Sequence, residues 1–138
     1  MKVLLDTNII MDALQERSPF DIDAKEILSR AGRGDFACLF TANAATDIFY
    51  LFSKVRDMRS AKAALDFLLT HYEVVTVARE DCMAALSLPM EDFEDGLVIV
   101  CAQKAGADFI VTRDEKFLEV ASPVKLIRPK ELLNMLNP

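Results

Sequence analysis

The residues of this chain best suited to chemistry are aspartates that adjoin apolar segments. Five have this setting: Asp6, Asp47, Asp92, Asp95 and Asp114. Carboxylates brought within a few ångströms of one another repel strongly, and a shared proton or a divalent cation relieves that repulsion. Oxygen ligands without His or Cys favour Mg²⁺ or Mn²⁺ over Zn²⁺. The one histidine of the sequence, His71, gives little basis for a histidine-based catalytic triad.

Three of these aspartates also have ordinary structural explanations. Asp6 follows an apolar run, where a carboxylate is costly unless it is paired or bound to a cation, yet aspartate is also a good helix N-cap. Asp47 stands on a predicted helix among apolar neighbours and suits an inert exposed position about as well. Asp114 shares its loop with Arg113 and Lys116, so a local salt bridge would account for it. Position alone leaves all three open.

Asp92 and Asp95 precede a long apolar segment and are three residues apart, which puts both on one face of a helix. Negative charge is favourable at a helix N-terminus, so capping would explain one or two of the acids in this segment. Capping explains Asp95 less well, because it stands directly before a predicted helix, 97–105, that has no obvious polar face. Asp95 is therefore the stronger candidate of the two.

Short apolar strands are predicted to alternate with helices along the chain. The predicted strands are 2–5, 36–40, 73–78, 109–112 and 124–127. The predicted helices are 8–16, one from Ser18-Pro19 to Gly32, 42–55, one that includes 61–69, 79–88, 97–105 and one that starts at Pro129. This order predicts an α/β fold with three layers, α/β/α, around a small central parallel sheet. Sites in such sheets form beyond the carboxyl ends of the strands, so Asp6 and Asp114 are expected at the same edge.

The composition is that of one globular domain, spanning residues 1–138. A net charge of −6 argues against broad neutralisation of a nucleic-acid backbone, although it leaves room for a nuclease that meets phosphate through bound cations. No apolar run approaches the length of a membrane span, and Asp6 interrupts the first one, which argues against a signal peptide. A cytoplasmic protein without membrane contact is expected.

Four segments together resemble the PIN-domain family, close to its VapC-type toxin ribonucleases. They are, in order, the segments VLLDTNI at 3–9, TANAATD at 41–47, DFEDGL at 92–97 and DFIVTRD at 108–114. Each is weak alone, but their order and spacing cover nearly the whole chain. The resemblance implies cation-dependent hydrolysis of RNA phosphodiester bonds, leaving a 5′-phosphate and a 3′-hydroxyl.

The resemblance also implies roles for particular residues. The implied catalytic residues are Asp6, Asp47, Asp95 and Asp114, of which Asp6, Asp95 and Asp114 would hold one or two Mg²⁺ or Mn²⁺ ions. Asp92 would be an accessory acid, Asn8 and Thr112 would orient ligands or water, and Arg113 would meet RNA. The implied partners are an RNA substrate, a small antitoxin protein and a second copy of the chain.

One position departs from the family pattern. The family commonly has Glu where this chain has Asp47, and Asp is one methylene shorter. Asp47 would therefore reach a cation only through water, or not at all. This departure and the acidic net charge favour one alternative, a PIN-like module that binds nucleic acid or protein with weakened or absent catalysis.

A second alternative is a phosphoryl-transfer domain. A haloacid-dehalogenase phosphatase would need a second acid where Asn8 stands, and a response-regulator receiver would need a lysine at a later strand end, whereas Lys125 lies inside a predicted strand. Both are weaker fits than the PIN domain.

Overall fold

A five-stranded parallel sheet forms the centre of the protein. The computed structural model describes residues 1–137. The strands are β1 (Lys2–Leu5), β2 (Ala37–Thr41), β3 (Glu73–Val75), β4 (Phe109–Val111) and β5 (Lys125–Ile127). Their order across the sheet is β3-β2-β1-β4-β5, and every neighbouring pair is parallel. The strand that carries Asp6 at its end therefore lies in the middle of the sheet.

Helices cover both faces of this sheet. They are α1 (Thr7–Leu14), α2 (Asp21–Gly32), α3 (Ala42–Val55), α4 (Met58–His71), α5 (Arg79–Leu86), α6 (Phe93–Lys104), α7 (Glu115–Leu118) and α8 (Pro129–Leu136). Side chains of α1 to α4 and α8 share one hydrophobic core, and side chains of α6 and α7 belong to a second core. The predicted three-layer α/β/α fold is confirmed.

The alternation of side chains along β1 explains why two cores form. Val3 and Leu5 belong to the first core and Leu4 to the second, and all three are buried. Successive residues of a strand point to opposite faces of the sheet, so a strand covered on both sides must be apolar throughout. Such a strand holds the residue that follows it in a fixed position, which here is Asp6.

Two helices begin two or more residues away from the predicted start. Helix α2 begins at Asp21 instead of Pro19, because residues 17–20 close a turn in which the Phe20 amide donates to the Arg17 carbonyl at 2.9 Å. Helix α6 begins at Phe93, four residues before the predicted start, because the Asp92 side chain accepts a hydrogen bond from the Asp95 amide at 3.1 Å. Asp95 therefore lies inside the first turn of α6.

The remaining differences concern short elements. The strand predicted over 73–78 ends at Val75, and helix α7 was not predicted. Helix α7 has only four residues and begins directly after Asp114, whose side chain caps it. Within residues 1–137, every helix is too short or too polar to cross a lipid bilayer.

Helix α2 offers a matched test of the first core. The side chain of Ile27 is 0% exposed and that of Ile22, on the same helix, is 72% exposed. Ile27→Ala should lower the free energy of unfolding by about 3 kcal/mol, since it removes buried methyl groups and leaves a cavity. Ile22→Ala should change it by less than about 0.5 kcal/mol. Urea denaturation measures both, and equal losses in the two variants would contradict this packing.

Candidate active site

An acidic cavity of about 250 Å³ opens at the carboxyl edge of the sheet. Its lining comes from the ends of β1 and β4, from α3 and from the start of α6. Residues predicted for the site that line it are Asp6, Asn8, Asp47, Asp92, Asp95 and Asp114. Segments more than a hundred residues apart in the chain are thus gathered at one place, as the parallel topology predicts.

Asp6 is held at the centre of this edge by its backbone and its side chain. Its amide donates to the Val111 carbonyl at 3.0 Å, which extends the pairing of β1 with β4 by one residue. Its Oδ2 accepts a hydrogen bond from the Thr112 hydroxyl at 2.8 Å. The side chain is buried, and this burial, with a smaller contribution from the carboxylates of Asp114 and Asp92, raises its pKa although the Thr112 hydrogen bond lowers it.

Thr112 connects two of the acids. It is fully buried, and while its hydroxyl donates to Asp6, the same oxygen accepts a hydrogen bond from the Asp114 amide at 3.1 Å. The Asp114 side chain in turn accepts from the Lys116 and Phe117 amides at 3.0 and 3.4 Å, which caps α7. The relative positions of Asp6 and Asp114 therefore depend on one hydroxyl group.

Asp95 has the most strongly perturbed carboxyl group of the site. Burial, followed by repulsion from Asp92, Asp6, Asp114 and Glu94, raises its pKa from 3.8 to about 7. It lies at the third position of α6, where the positive end of the helix dipole favours negative charge. Even with that help, the Asp95 carboxyl group gains a proton readily, because it is partly buried and several carboxylates surround it.

Asp47 and Glu94 complete the acidic lining. Asp47 is exposed on α3 and faces the same cavity. Glu94 was not predicted as a site residue. Burial, then repulsion from Asp47, Asp6 and Asp92, raises its pKa. Its position between Asp92 and Asp95 could have indicated a site residue. A helix predicted to begin at residue 97 places Glu94 in a loop, where nothing directs its side chain to the cavity.

Arg113 lies beside this cavity without lining it. Its Nε and Nη2 donate to the two oxygens of Asp12 at 2.6 and 2.9 Å, and its guanidinium carbon lies 4.0 Å from the centre of the Phe20 ring. Asp12 is fully buried, and its ion pair with Arg113 was not predicted. The Arg113 side chain thus forms an ion pair that joins the loop after β4 to α1. Arg113, Asp12 and Phe20 line a separate cavity.

The acidic cavity suits a hard divalent cation by its chemistry. Six carboxylates line it, and its described lining includes no Lys or Arg. The raised pKa values of Asp6, Glu94 and Asp95 mark negative charge without a cationic partner. Among residues 1–137, no group of three His, Cys, Asp or Glu side chains is arranged as it stands to hold an ion. The donor set fits Mg²⁺ or Mn²⁺, with side-chain rotation or bridging water completing the coordination.

Carboxylate repulsion should make the cation-free protein less stable as pH rises. Asp95 keeps a proton up to about pH 7 in the folded protein, whereas the unfolded chain releases it near 3.8. The folded state binds more protons in this window, so stability falls as pH rises through it. In EDTA, the Tm of the wild type should fall between about pH 4 and about pH 7 and level off above, and Asp95→Asn should raise Tm most at the upper end.

Asp66→Asn provides the control for this measurement, since Asp66 is exposed on α4 and does not line the acidic cavity. A Tm gain for Asp95→Asn that stays constant with pH would contradict the raised pKa of Asp95.

A family model, a relative by sequence and solved structures all relate this chain to known proteins. The family model described as PIN domain matches residues 2–116. Ribonuclease VapC1 of Aquifex aeolicus (strain VF5) is 27% identical over 124 residues, which cover 84% of this chain and 83% of that protein. VapC20 of Mycobacterium tuberculosis, described as a Sarcin-Ricin loop cleaving toxin, superposes with a TM-score of 0.67 at 16% identity and covers 83% of this chain and 92% of its own.

A toxin–antitoxin complex from Klebsiella pneumoniae contains a chain that superposes with a TM-score of 0.68 at 17% identity, covering 92% of this chain and 97% of that chain. These structures show the shared fold, and the family model covers most of the sequence. The predicted family is confirmed: the chain belongs to the PIN domain family.

Proposed function

We propose that this protein is an endoribonuclease that hydrolyses RNA phosphodiester bonds with Mg²⁺ or Mn²⁺. The observation that carries the proposal is the convergence of Asp6, Asp95 and Asp114 on one cavity with uncompensated negative charge. The similarity to Ribonuclease VapC1 supports RNA as the substrate. The oxygen-only lining supports a hard cation.

In this proposal, Asp6, Asp95 and Asp114 hold the cation or cations. A divalent cation bound there would activate water and offset the charge of the phosphate and of the leaving oxygen. Thr112 positions Asp6 and Asp114 relative to each other through its hydroxyl. Asn8, which lines the cavity beside Asp6, orients water or a phosphate oxygen.

Asp92 and Asp47 have supporting roles in this scheme. Asp92 caps α6 and so fixes the turn that carries Asp95, and its charge adds to the cation affinity of the cavity. Asp47 is exposed on α3 and one methylene shorter than the usual family residue, so it acts on the cation through water. Arg113 contributes by anchoring the loop between Thr112 and Asp114 to Asp12, in place of the RNA contact expected from sequence.

We further propose that the protein is the toxin of a toxin–antitoxin pair, acts in the cytoplasm and forms a homodimer. The structural likeness to the chain of a toxin–antitoxin complex supports the antitoxin partner. Co-expression with a short reading frame next to its gene tests this pairing, because the two products should copurify. Separate elution of the two would contradict it. Light scattering of the purified chain measures its molar mass and so tests the dimer.

Two observations favour an alternative, a binding module without catalysis. No three ligating side chains within residues 1–137 are arranged to hold an ion as they stand, and Asp47 is shorter than the family residue. Calorimetric titration with Mn²⁺ separates the two functions. Heat of binding that disappears in Asp6→Asn supports the nuclease, and no heat in the wild type supports the binding module.

Cleavage of a labelled single-stranded RNA tests the nuclease directly. The wild type should cut with Mg²⁺ or Mn²⁺ and stop in EDTA. Asp6→Asn should lower kcat/KM about 100-fold or more, since it removes a ligand charge at the reacting centre. Thr112→Val should lower it about 10- to 100-fold, the usual range for a residue that orients a ligand. Asp47→Asn should have a smaller effect than Asp6→Asn.

Asp66→Asn again serves as the matched control and should cleave at the wild-type rate. Equal rates for the wild type, Asp6→Asn and Asp95→Ala would mean that the measured activity belongs to a contaminant.

A further inference from the structure

A groove leads away from the acidic cavity on the α6 side. It consists of two adjoining cavities, of about 420 and about 280 Å³, that share Pro89, Met90 and Val120 in their linings. The larger one also shares Asp92, Asp95 and Asp114 with the acidic cavity. The groove is therefore continuous with the site where the phosphate is proposed to react.

One wall of this groove is apolar and held in place, formed by Pro89, Met90 and Val120. Residues 88–90 form a tight turn in which the Met90 amide donates to the Leu88 carbonyl at 2.9 Å. The Met90 sulfur lies 3.7 Å from the position that a Cβ on Gly96 would take, so the turn packs on the first part of α6. Val120 forms another part of the lining. These contacts fix the groove relative to Asp95, the residue before Gly96.

Besides Asp92, Asp95 and Asp114, two further charged groups border the larger cavity. Lys116 and Glu91 both line it, and neither side chain makes an ion pair within residues 1–137. A cation beside an acidic cavity suits a backbone phosphate, whereas an apolar wall suits the face of a base. A carboxylate accepts hydrogen bonds, so it selects bases that present donors.

We propose that this groove binds the nucleotides next to the cleaved bond in single-stranded RNA and selects a base that carries an exocyclic amino group. The inference rests on the proposed nuclease function and specifies its substrate. The unpaired base packs against Met90 and Val120, and Lys116 contacts the neighbouring phosphate. Glu91 accepts a hydrogen bond from the amino group of cytosine, adenine or guanine. Uracil is disfavoured, because its one donor lies between two carbonyl oxygens that a carboxylate repels.

Cleavage of a randomised RNA tests the base selection. The wild type should disfavour uracil at one position next to the cut. Glu91→Gln, which keeps the shape and removes the charge, should reduce this discrimination about 5- to 10-fold. Met90→Ala should weaken it as well. The matched controls are Glu80→Gln and Met83→Ala, both exposed on α5 and absent from the groove lining, and they should keep the wild-type pattern.

A second measurement does not depend on cleavage. Asp6→Asn protein is titrated with hexaribonucleotides that carry 2-aminopurine at one position each. Fluorescence should change at one position or two neighbouring positions, and Met90→Ala should abolish that change. A thermal melt of each variant establishes that it is folded.

The outcomes separate the two proposals. Cleavage without base preference, or with the same preference in Glu91→Gln and Met90→Ala, overturns the groove and leaves the nuclease. A position-specific fluorescence change, together with no cleavage by the wild type, supports the groove and overturns the nuclease. Fluorescence that changes equally at every position, or variants that weaken only the binding of a copurified antitoxin, overturn the groove as an RNA site.

Discussion

Repulsion among carboxylates gathered at one edge of the sheet is the constraint on which this site depends. Six acidic side chains share a cavity of about 250 Å³, and burial together with repulsion from the neighbouring carboxylates raises the pKa of Asp95 to about 7. Such a cluster is unfavourable by itself, so the rest of the fold must hold it together. A buried parallel sheet does this well, because its strands end at fixed positions that the two cores determine.

Two of the acids that repel one another also cap helices. Asp92 caps α6 and Asp114 caps α7, while both face the acidic cavity. Asp92 thus has both of the positions that sequence left open for it, and Asp114 caps a helix where sequence suggested a local salt bridge. The one hydroxyl of Thr112 then joins Asp6 to the Asp114 backbone. Capping and positioning of the acids are thus parts of one hydrogen-bonded arrangement.

Sequence was sufficient for the features that follow from periodicity and topology. The apolar run Val3-Leu4-Leu5, followed at once by Asp6, predicts a carboxylate at the edge of a covered parallel sheet, and the strand that ends before Thr112 predicts its neighbour. Pairing of β1 with β4 then brings Asp6 and Thr112 together. The roles of these residues in catalysis stay predictions.

Other features depend on contacts that no local pattern reveals. The ion pair between Asp12 and Arg113 joins residues 101 positions apart, so no local sequence pattern indicates it. The expected RNA contact of Arg113 was inferred without knowledge of this partner. Helix α7 has four residues, too few to show a helical period. Glu94 was missed because the predicted helix begins at residue 97, which leaves Glu94 in the preceding loop, whereas α6 begins at Phe93.

The central claim is that the repelling carboxylates form a cation site, and anomalous diffraction from crystals grown with Mn²⁺ tests it most directly. The account predicts one or two anomalous peaks in the acidic cavity, within bonding distance of carboxylate oxygens from Asp6, Asp95 or Asp114. Saturating Mn²⁺ that leaves this cavity without a peak, or that binds only elsewhere on the surface, would contradict it.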